Sequence, residues 1–296
     1  MGSGGAAPER RTRERSQRGT PVSVTTAPAR TTLGLRIVPP ALLGARRGQR
    51  LVERNLFVYR RTWMILLSGF FEPVFYLASV RLGLGTLVGD VVVNGHTVSY
   101  AEFVAPALLA TAAMNGALFD STMNVFYKLK YARVYDAVLA TPLGVGDVAL
   151  GEIAWALLRG ALYSTGFLVV MAAMGLTSSP WVLGCLPVAV LIGFAFAAVG
   201  LAGCSYARTW ADFTWLEAVM VPLFLFSATF YPLSVYSPTA QWIVRATPLY
   251  HGVVLCRAFS SGQLSWDLLT HVVYLAVMGL IGLFVASRRL GALLLT

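Results

Sequence analysis

The chain has 296 residues, 57% hydrophobic and 12% charged, with a mean hydropathy of +0.69 and a formal net charge of +10. Soluble domains carry about 25% charged residues, so half that share, with long apolar blocks from Trp63 to Ala286, excludes an ordinary soluble fold. The positive charge does not indicate nucleic acid: residues 1–62 hold 13 of the 23 Lys/Arg and 3 of the 13 Asp/Glu, so the whole excess precedes the first apolar block, where it marks orientation and attracts anionic lipid.

Residues 1–40 are rich in Arg, Ser, Thr, Gly and Pro and poor in apolar residues, which predicts a disordered cytoplasmic tail. Some sixty residues precede the first apolar block, too many for a cleavable signal peptide. Over 41–62 the pattern turns helical. Val52, Leu56, Tyr59 and Trp63 share one face, and Arg47, Arg50, Arg54 and Arg61 lie roughly opposite, as in an amphipathic helix on a membrane surface.

Residues 63–289 read as a transmembrane domain of six spans, near 63–83, 102–123, 149–174, 181–204, 213–231 and 266–286, followed by a short cytoplasmic end at 290–296. Each approaches the ~20 residues that cross a ~30 Å hydrocarbon core. With the N-terminus inside, the cytoplasmic flanks collect Arg46–Arg61, Lys128, Lys130, Arg133, Arg208, Arg288 and Arg289, and the outside collects Arg245 and Arg257. That bias places both termini in the cytoplasm. The stretch 232–262 is apolar, but Pro232, Pro238 and Pro248 interrupt it, and Arg245 and Arg257 are costly in lipid. It is therefore expected to form short helices on the outer surface, with Tyr231, Tyr236, Trp242 and Tyr250 as an interfacial aromatic girdle. The fold class expected is all-α integral membrane.

Ionisable residues inside spans are costly and face partners or a pathway. Glu72 and Arg159 each sit nine or ten residues into their spans, ~15 Å deep at 1.5 Å per residue, and are expected to pair. Glu217, Asp120 and Asn115 lie nearer the cytoplasmic side. Gly193, Ala197, Gly200 and Gly203 make the fourth span smooth on one side, suited to close packing within the subunit. Pro222 is expected to kink the fifth span. Tyr231, Pro232, Tyr250 and His251 are candidates for an outer gate, although a histidine there is more often an anchor. His96, His251 and His271 lack metal-ligand spacing, so no metal is expected. Cys185, Cys204 and Cys256 read as small buried hydrophobes.

A phosphate-cradling loop ends in Gly-Lys-Ser/Thr. The two lysines, Lys128 and Lys130, both lie in a Tyr-Lys-Leu-Lys-Tyr run, and neither follows a glycine. No cofactor is expected on this chain, and any ATP-Mg would belong to a partner subunit. The loop KLKYARVYDAVLATPLGVGDVALGE can form a short helix from Tyr135 to Ala140, stopped by Thr141-Pro142. Its basic, aromatic and acidic residues suit docking of a soluble partner as well as a plain solvated connector.

This loop resembles the coupling segment of type-2 ABC exporter permeases, in which an acidic residue is followed by Leu and then Thr-Pro. Asp136, Leu139, Thr141 and Pro142 occupy those places. Phe71-Glu72-Pro73 with Gly83-Leu84-Gly85, and Phe230-Tyr231-Pro232-Leu233 with Pro248-Leu249-Tyr250-His251-Gly252, are similar to the nodulation lipooligosaccharide exporter branch. The resemblance runs from about Leu51 to Arg289; the Arg-rich tail lies outside it. It implies a dimer of six-span subunits in the bacterial plasma membrane, homomeric or heteromeric, held by ATP-binding subunits that dock on Lys128, Lys130, Asp136, Leu139, Thr141 and Pro142. The implied cargo is an amphiphile, glycolipid-like or drug-like, moved outward. A proton-coupled carrier using Glu72 and a membrane-embedded lipid enzyme are the competing classes. Against the enzyme, the sequence carries no Ser/His/Asp set and no His-Glu-x-x-His helix.

Overall fold

The computed structural model describes residues 73–93, 96–140 and 143–294, with Val52, Glu53 and Asn55. The tail, most of the amphipathic 41–62 segment, the first half of the first predicted span, and Glu72, Thr141 and Pro142 lie outside the described residues.

Among the described residues the protein is a helical bundle. Helix α1 spans Pro73–Val88 and leads into a two-stranded antiparallel hairpin, β1 (Asp90–Val93) and β2 (His96–Ser99), with Val91 opposite Val98 and Val92 opposite Thr97. The described residues are otherwise mostly helical, in keeping with the all-α membrane class expected, and the hairpin is a small addition to it. Its signal is Asn94-Gly95 between two valine-bearing runs, a dipeptide that suits the positive φ values of a tight hairpin turn.

Four helices are long and apolar enough to cross a membrane: α2 (Tyr100–Lys130), α4 (Val145–Ala173), α5 (Pro180–Cys204) and α9 (Leu268–Leu293, continuing to Leu294). Short helix α3 (Val134–Leu139) joins α2 to α4. Ser99 caps α2 by accepting the Glu102 N–H, and the Asp147 carboxylate accepts the Gly144 N–H at 2.9 Å at the start of α4. Helices α2 and α5 form the centre, with Leu109, Met114, Ile192 and Leu201 almost fully buried. Helix α9 packs chiefly on α5 and turns Val273, Val277, Leu280 and Phe284 outward, an apolar surface suited to lipid.

Several boundaries differ from the sequence reading. Helix α2 runs seven residues past 123, through a π-helical turn at Asp120–Asn124, and so carries Lys128 into the bundle. Helix α9 passes 286 to Leu294, where Arg288 stacks on Phe284 and Arg289 on Tyr206. The fifth predicted span is only the twelve-residue α6 (Thr214–Leu225), ~18 Å long at 1.5 Å per residue. It ends because Ala228 takes a positive φ of 57° and the Ser227 hydroxyl donates back to the Leu223 carbonyl. Two further helices follow, α7 (Pro238–Ala246) and α8 (Pro248–Ser261), each started by a proline at its first turn.

The helices alternate direction, which gives the bundle two ends. The basic end gathers Lys130, α3, the 205–213 turn and the end of α9, with Phe126, Trp210 and Phe213 ring against ring. In the turn, the Arg208 and Thr209 N–H groups donate to Asp212 and hold its carboxyl below the usual carboxylate range. The hairpin end gathers the strands, α7 and α8, and Arg81 donates there to the Met174 carbonyl at 2.6 Å.

Glycines set the closest helix approaches. A Cβ on Gly200 would meet the Ser121 hydroxyl at 2.4 Å, and one on Gly193 would meet Leu157 at 3.3 Å, so these face neighbouring helices of the same chain. Gly203 faces nothing within 4 Å. On α9, a Cβ at Gly282 would sit 2.7 Å from the Val199 backbone nitrogen and 2.8 Å from the Ala198 carbonyl carbon, which cannot rotate aside. Gly282→Ala should therefore separate α5 from α9 and cost ~1–3 kcal/mol, whereas Gly203→Ala should be neutral or stabilising. Thermal unfolding of both variants in detergent checks this; equal midpoints would show that the two helices do not meet at this distance.

Candidate functional site

A cavity of about 670 Å³ lies between α1, α2, α4 and α6. Most of its wall is apolar or aromatic, including Tyr76, Phe119, Phe167, Met220 and Phe224. Polar groups enter from three helices: Thr111, Asn115 and Thr122 on α2, Arg159 and Tyr163 on α4, and Glu217 on α6. Few polar groups in a largely apolar concavity of this volume fit a binding site for a molecule of drug or lipid-headgroup size. Of the residues singled out in the spans, Asn115, Arg159 and Glu217 thus line one cavity, with Asp120, a further one, behind Arg159. Glu72 lies outside the described residues.

Arg159 is held from behind. One guanidinium nitrogen donates to the Asp120 carboxylate at 2.7 Å, and Nε donates to the Tyr163 hydroxyl at 3.3 Å. The structure pairs Arg159 with Asp120, whose side chain is 4% exposed; its expected pairing with Glu72 falls on a residue outside those described. Nearer the basic end a second buried pair links the same two helices, Lys128 to Glu152 at 2.7 Å. Lys128 had been expected on the docking surface. It is instead 8% exposed and bound within the bundle, because the π turn and the extra helical length point it at α4.

The two pairs are separated by eight residues on α2 and seven on α4. At about 100° per residue, seven residues return a side chain to within roughly 20° of its starting direction, but eight overshoot by roughly 80°. The π turn at Asp120–Asn124 lies inside the eight-residue interval and winds more slowly. It absorbs the extra residue, and both α2 charges face α4. An acid and a base eight apart on one helix, against a base and an acid seven apart on the next, were the signal for this ladder.

Of the remaining docking candidates, Lys130 is exposed, and Asp136 and Leu139 lie in α3. At the hairpin end, His251 does not stand free. Its Nδ1 is 2.6 Å from Nδ1 of His271, one ring donating and the other accepting, and its ring stacks on Tyr274 at 3.9 Å. Tyr250 meets both histidines edge-on, while Tyr231 is exposed and Pro232 starts the turn into α7. Arg257 was weighed in the sequence as an outside charge and as a cost in lipid, not as a structural contact. It donates to the Phe103 carbonyl at 3.1 Å and the Thr229 carbonyl at 2.9 Å and lies 3.7 Å from the Phe103 ring centre, so it clamps α2, α8 and the turn that ends α6. No sequence spacing marks those carbonyls. Cys185, Cys204 and Cys256 are buried and unbridged, and no cluster of three metal-ligating side chains occurs among the described residues.

An apolar helical bundle with membrane-length helices, buried charge pairs and a polar-studded cavity between helices defines a multi-pass membrane transport protein. The family model described as ABC-2 type transporter matches residues 47–259. Nodulation protein J of Rhizobium leguminosarum bv. trifolii is 33% identical over 240 residues, covering 80% of this chain and 90% of that protein. Nodulation protein J of Rhizobium meliloti (strain 1021) is 28% identical over 240 residues with the same coverage, and the inner membrane transport permease YadH of Escherichia coli (strain K12) is 23% identical over 204 residues, 67% of this chain and 76% of that protein. The chain belongs to the ABC-2 type transporter family, as the transmembrane permease subunit of an ABC exporter.

The ladder predicts strong coupling between its members. Arg159→Met alone takes the partner from the buried Asp120 carboxylate and should cost ~3–5 kcal/mol, while the double variant with Asp120→Asn should recover most of that loss. A double-mutant cycle on unfolding in detergent measures the coupling, and additive losses would show that the pair contributes nothing jointly.

Proposed function

We propose that this subunit carries an amphiphilic cargo outward across the bacterial plasma membrane through the α1/α2/α4/α6 cavity, energised by ATP-Mg bound on a separate ATP-binding subunit. The observation that carries this reading is the cavity itself: polar groups of three helices converge in an apolar concavity inside a chain of this family. Nodulation protein J relatives and the resemblance of the coupling loop favour a glycolipid-like cargo, with a drug-like amphiphile as the second reading, since the aromatic wall suits either. The working unit on this reading is a pair of permease chains, identical or related, with six spans each and no nucleic-acid partner. The short α6 and the partly described α1 region supply the first and fifth spans.

On the same reading the basic end faces the cytoplasm, with both termini there. The charge excess before Trp63 supports this orientation, as does the placing of Lys130, Arg288 and Arg289 at one end of the bundle. The ATP-binding subunit docks on α3 and its flanks, through Lys130, Asp136, Leu139, Thr141 and Pro142. Lys128 serves from inside, tying the end of α2 to α4. Motion at α3 then reaches the cavity through the charge ladder, because Arg159 is both a rung and part of the cavity wall.

Two experiments test this. Asp136→Ala, or replacement of Thr141-Pro142 by Ala-Ala, should leave membrane insertion and co-purification of the permease pair intact while lowering export per ATP hydrolysed at least several-fold in proteoliposomes. Unchanged coupling in both variants would move the docking contact elsewhere. For orientation, cysteines placed at Arg50 and Arg54 should react with an impermeant maleimide only in inside-out vesicles; labelling in intact cells would reverse the topology.

A further inference from the structure

Two charged side chains of the described residues line the cavity, Arg159 and Glu217, and they are not equivalent. The Arg159 charge is answered by Asp120 at 2.7 Å, a carboxylate behind the wall rather than in it. Glu217, an exposed residue, makes no ion pair and no side-chain hydrogen bond with another described residue, and it lines the cavity from the first turn of α6. The described wall therefore carries one uncompensated negative charge. The rings of Tyr76, Phe119, Tyr163 and Phe224 line the same cavity.

This combination has a chemical preference. A lone carboxylate beside low-dielectric walls repels anions and attracts cations more strongly than the same group in water. Aromatic faces present negative π density and add to the attraction for a cation, not for a neutral sugar or an anion. The position of Glu217 sets polarity as well. It lies where α6 leaves the basic end, while Phe224, two turns on, and Leu108 line deeper parts of the same cavity. A cargo head at Glu217 would lie toward the basic end with its apolar part directed inward. We propose that Glu217 is the specificity-determining residue of this permease and selects amphiphiles that carry a protonated amine or another organic cation. This rests on the exporter reading of the cavity and narrows its cargo class. The same chemistry is met by an amino-sugar glycolipid and by a drug-like lipophilic cation.

A first-turn carboxylate also favours its own helix through the helix dipole, so the test must read selectivity and not stability alone. Full-length protein, co-expressed with its ATP-binding partner and reconstituted in nanodiscs, is titrated with three probes: tetraphenylphosphonium, dodecyl glucosaminide at a pH where its amine is protonated, and uncharged dodecyl glucoside. Wild-type protein should bind the glucosaminide more tightly than the glucoside. Glu217→Gln should weaken at least one cationic probe about fivefold, the upper scale of one solvent-exposed ion pair, and leave the glucoside unchanged. Glu217→Asp should retain the preference. Response of the glucosaminide alone assigns an amino-glycolipid and response of tetraphenylphosphonium alone a drug-like cation; either supports the proposal. Equal binding of the two glycosides by wild type together with no loss of tetraphenylphosphonium binding in Glu217→Gln, an equal loss for all three probes in Glu217→Gln, or no binding of any probe overturns it. Should Glu217→Gln fold poorly, Glu217→Asp and the wild-type comparison of the two glycosides still decide. Failure of the exporter reading would show separately, as ATP hydrolysis by the complex that moves no cargo of any charge.

Discussion

Opposite charges buried between α2 and α4 must meet in pairs, because each alone is costly in an apolar bundle. Asp120 with Arg159, and Lys128 with Glu152, satisfy that requirement on two neighbouring helices. The seven-to-eight mismatch in spacing would turn one α2 charge away from α4 if the helix were regular. The π turn at Asp120–Asn124 removes the mismatch. The ladder thus sets the register of α2 against α4, fixes how far α2 extends toward α3, and leaves Arg159 facing the cavity with its charge already balanced.

From that register the remaining arrangement follows. Helix α5 fits against α2 through Gly193 and Gly200, and α9 closes on α5 through Gly282, giving a tightly packed side of the bundle. On the other side α1 and α6 make fewer buried contacts, and the cavity opens between them and the α2/α4 pair. Helix α6 is short because Ala228 turns the chain early, and Arg257 takes up the Thr229 carbonyl that the turn exposes. The cavity of this ABC-2 permease is therefore built from the packed pair on one wall and the two more exposed helices on the other. Its charge balance depends on which carboxylates the ladder uses and which, like Glu217, it leaves over.

What the amino-acid sequence determined by itself was whatever depends on local composition and period. Long apolar blocks with few charges define a membrane protein, because lipid tolerates only internally satisfied backbone over such lengths. The excess of Lys and Arg before Trp63, the proline-interrupted 232–262 stretch and the short helix before Thr141-Pro142 were legible for the same reason. Asn94-Gly95 between two valine-bearing runs is a local hairpin signal of the same kind. Asn115, Arg159 and Glu217 could be singled out because intramembrane polar residues are rare, and that cost is a property of each residue alone.

Only the tertiary structure decided which of these residues meet. Depth along a span is one coordinate and pairing needs three: helix rotation, set by the π turn, delivered Asp120 to Arg159 and drew Lys128 off the surface to Glu152. The length of α6 turned on a single left-handed residue, Ala228, that composition does not flag. The two carbonyls held by Arg257 come from segments far apart in the chain. The cavity, and the isolation of Glu217 within it, exist only once four helices are packed, because enclosure and charge compensation are relations between helices rather than properties of any one.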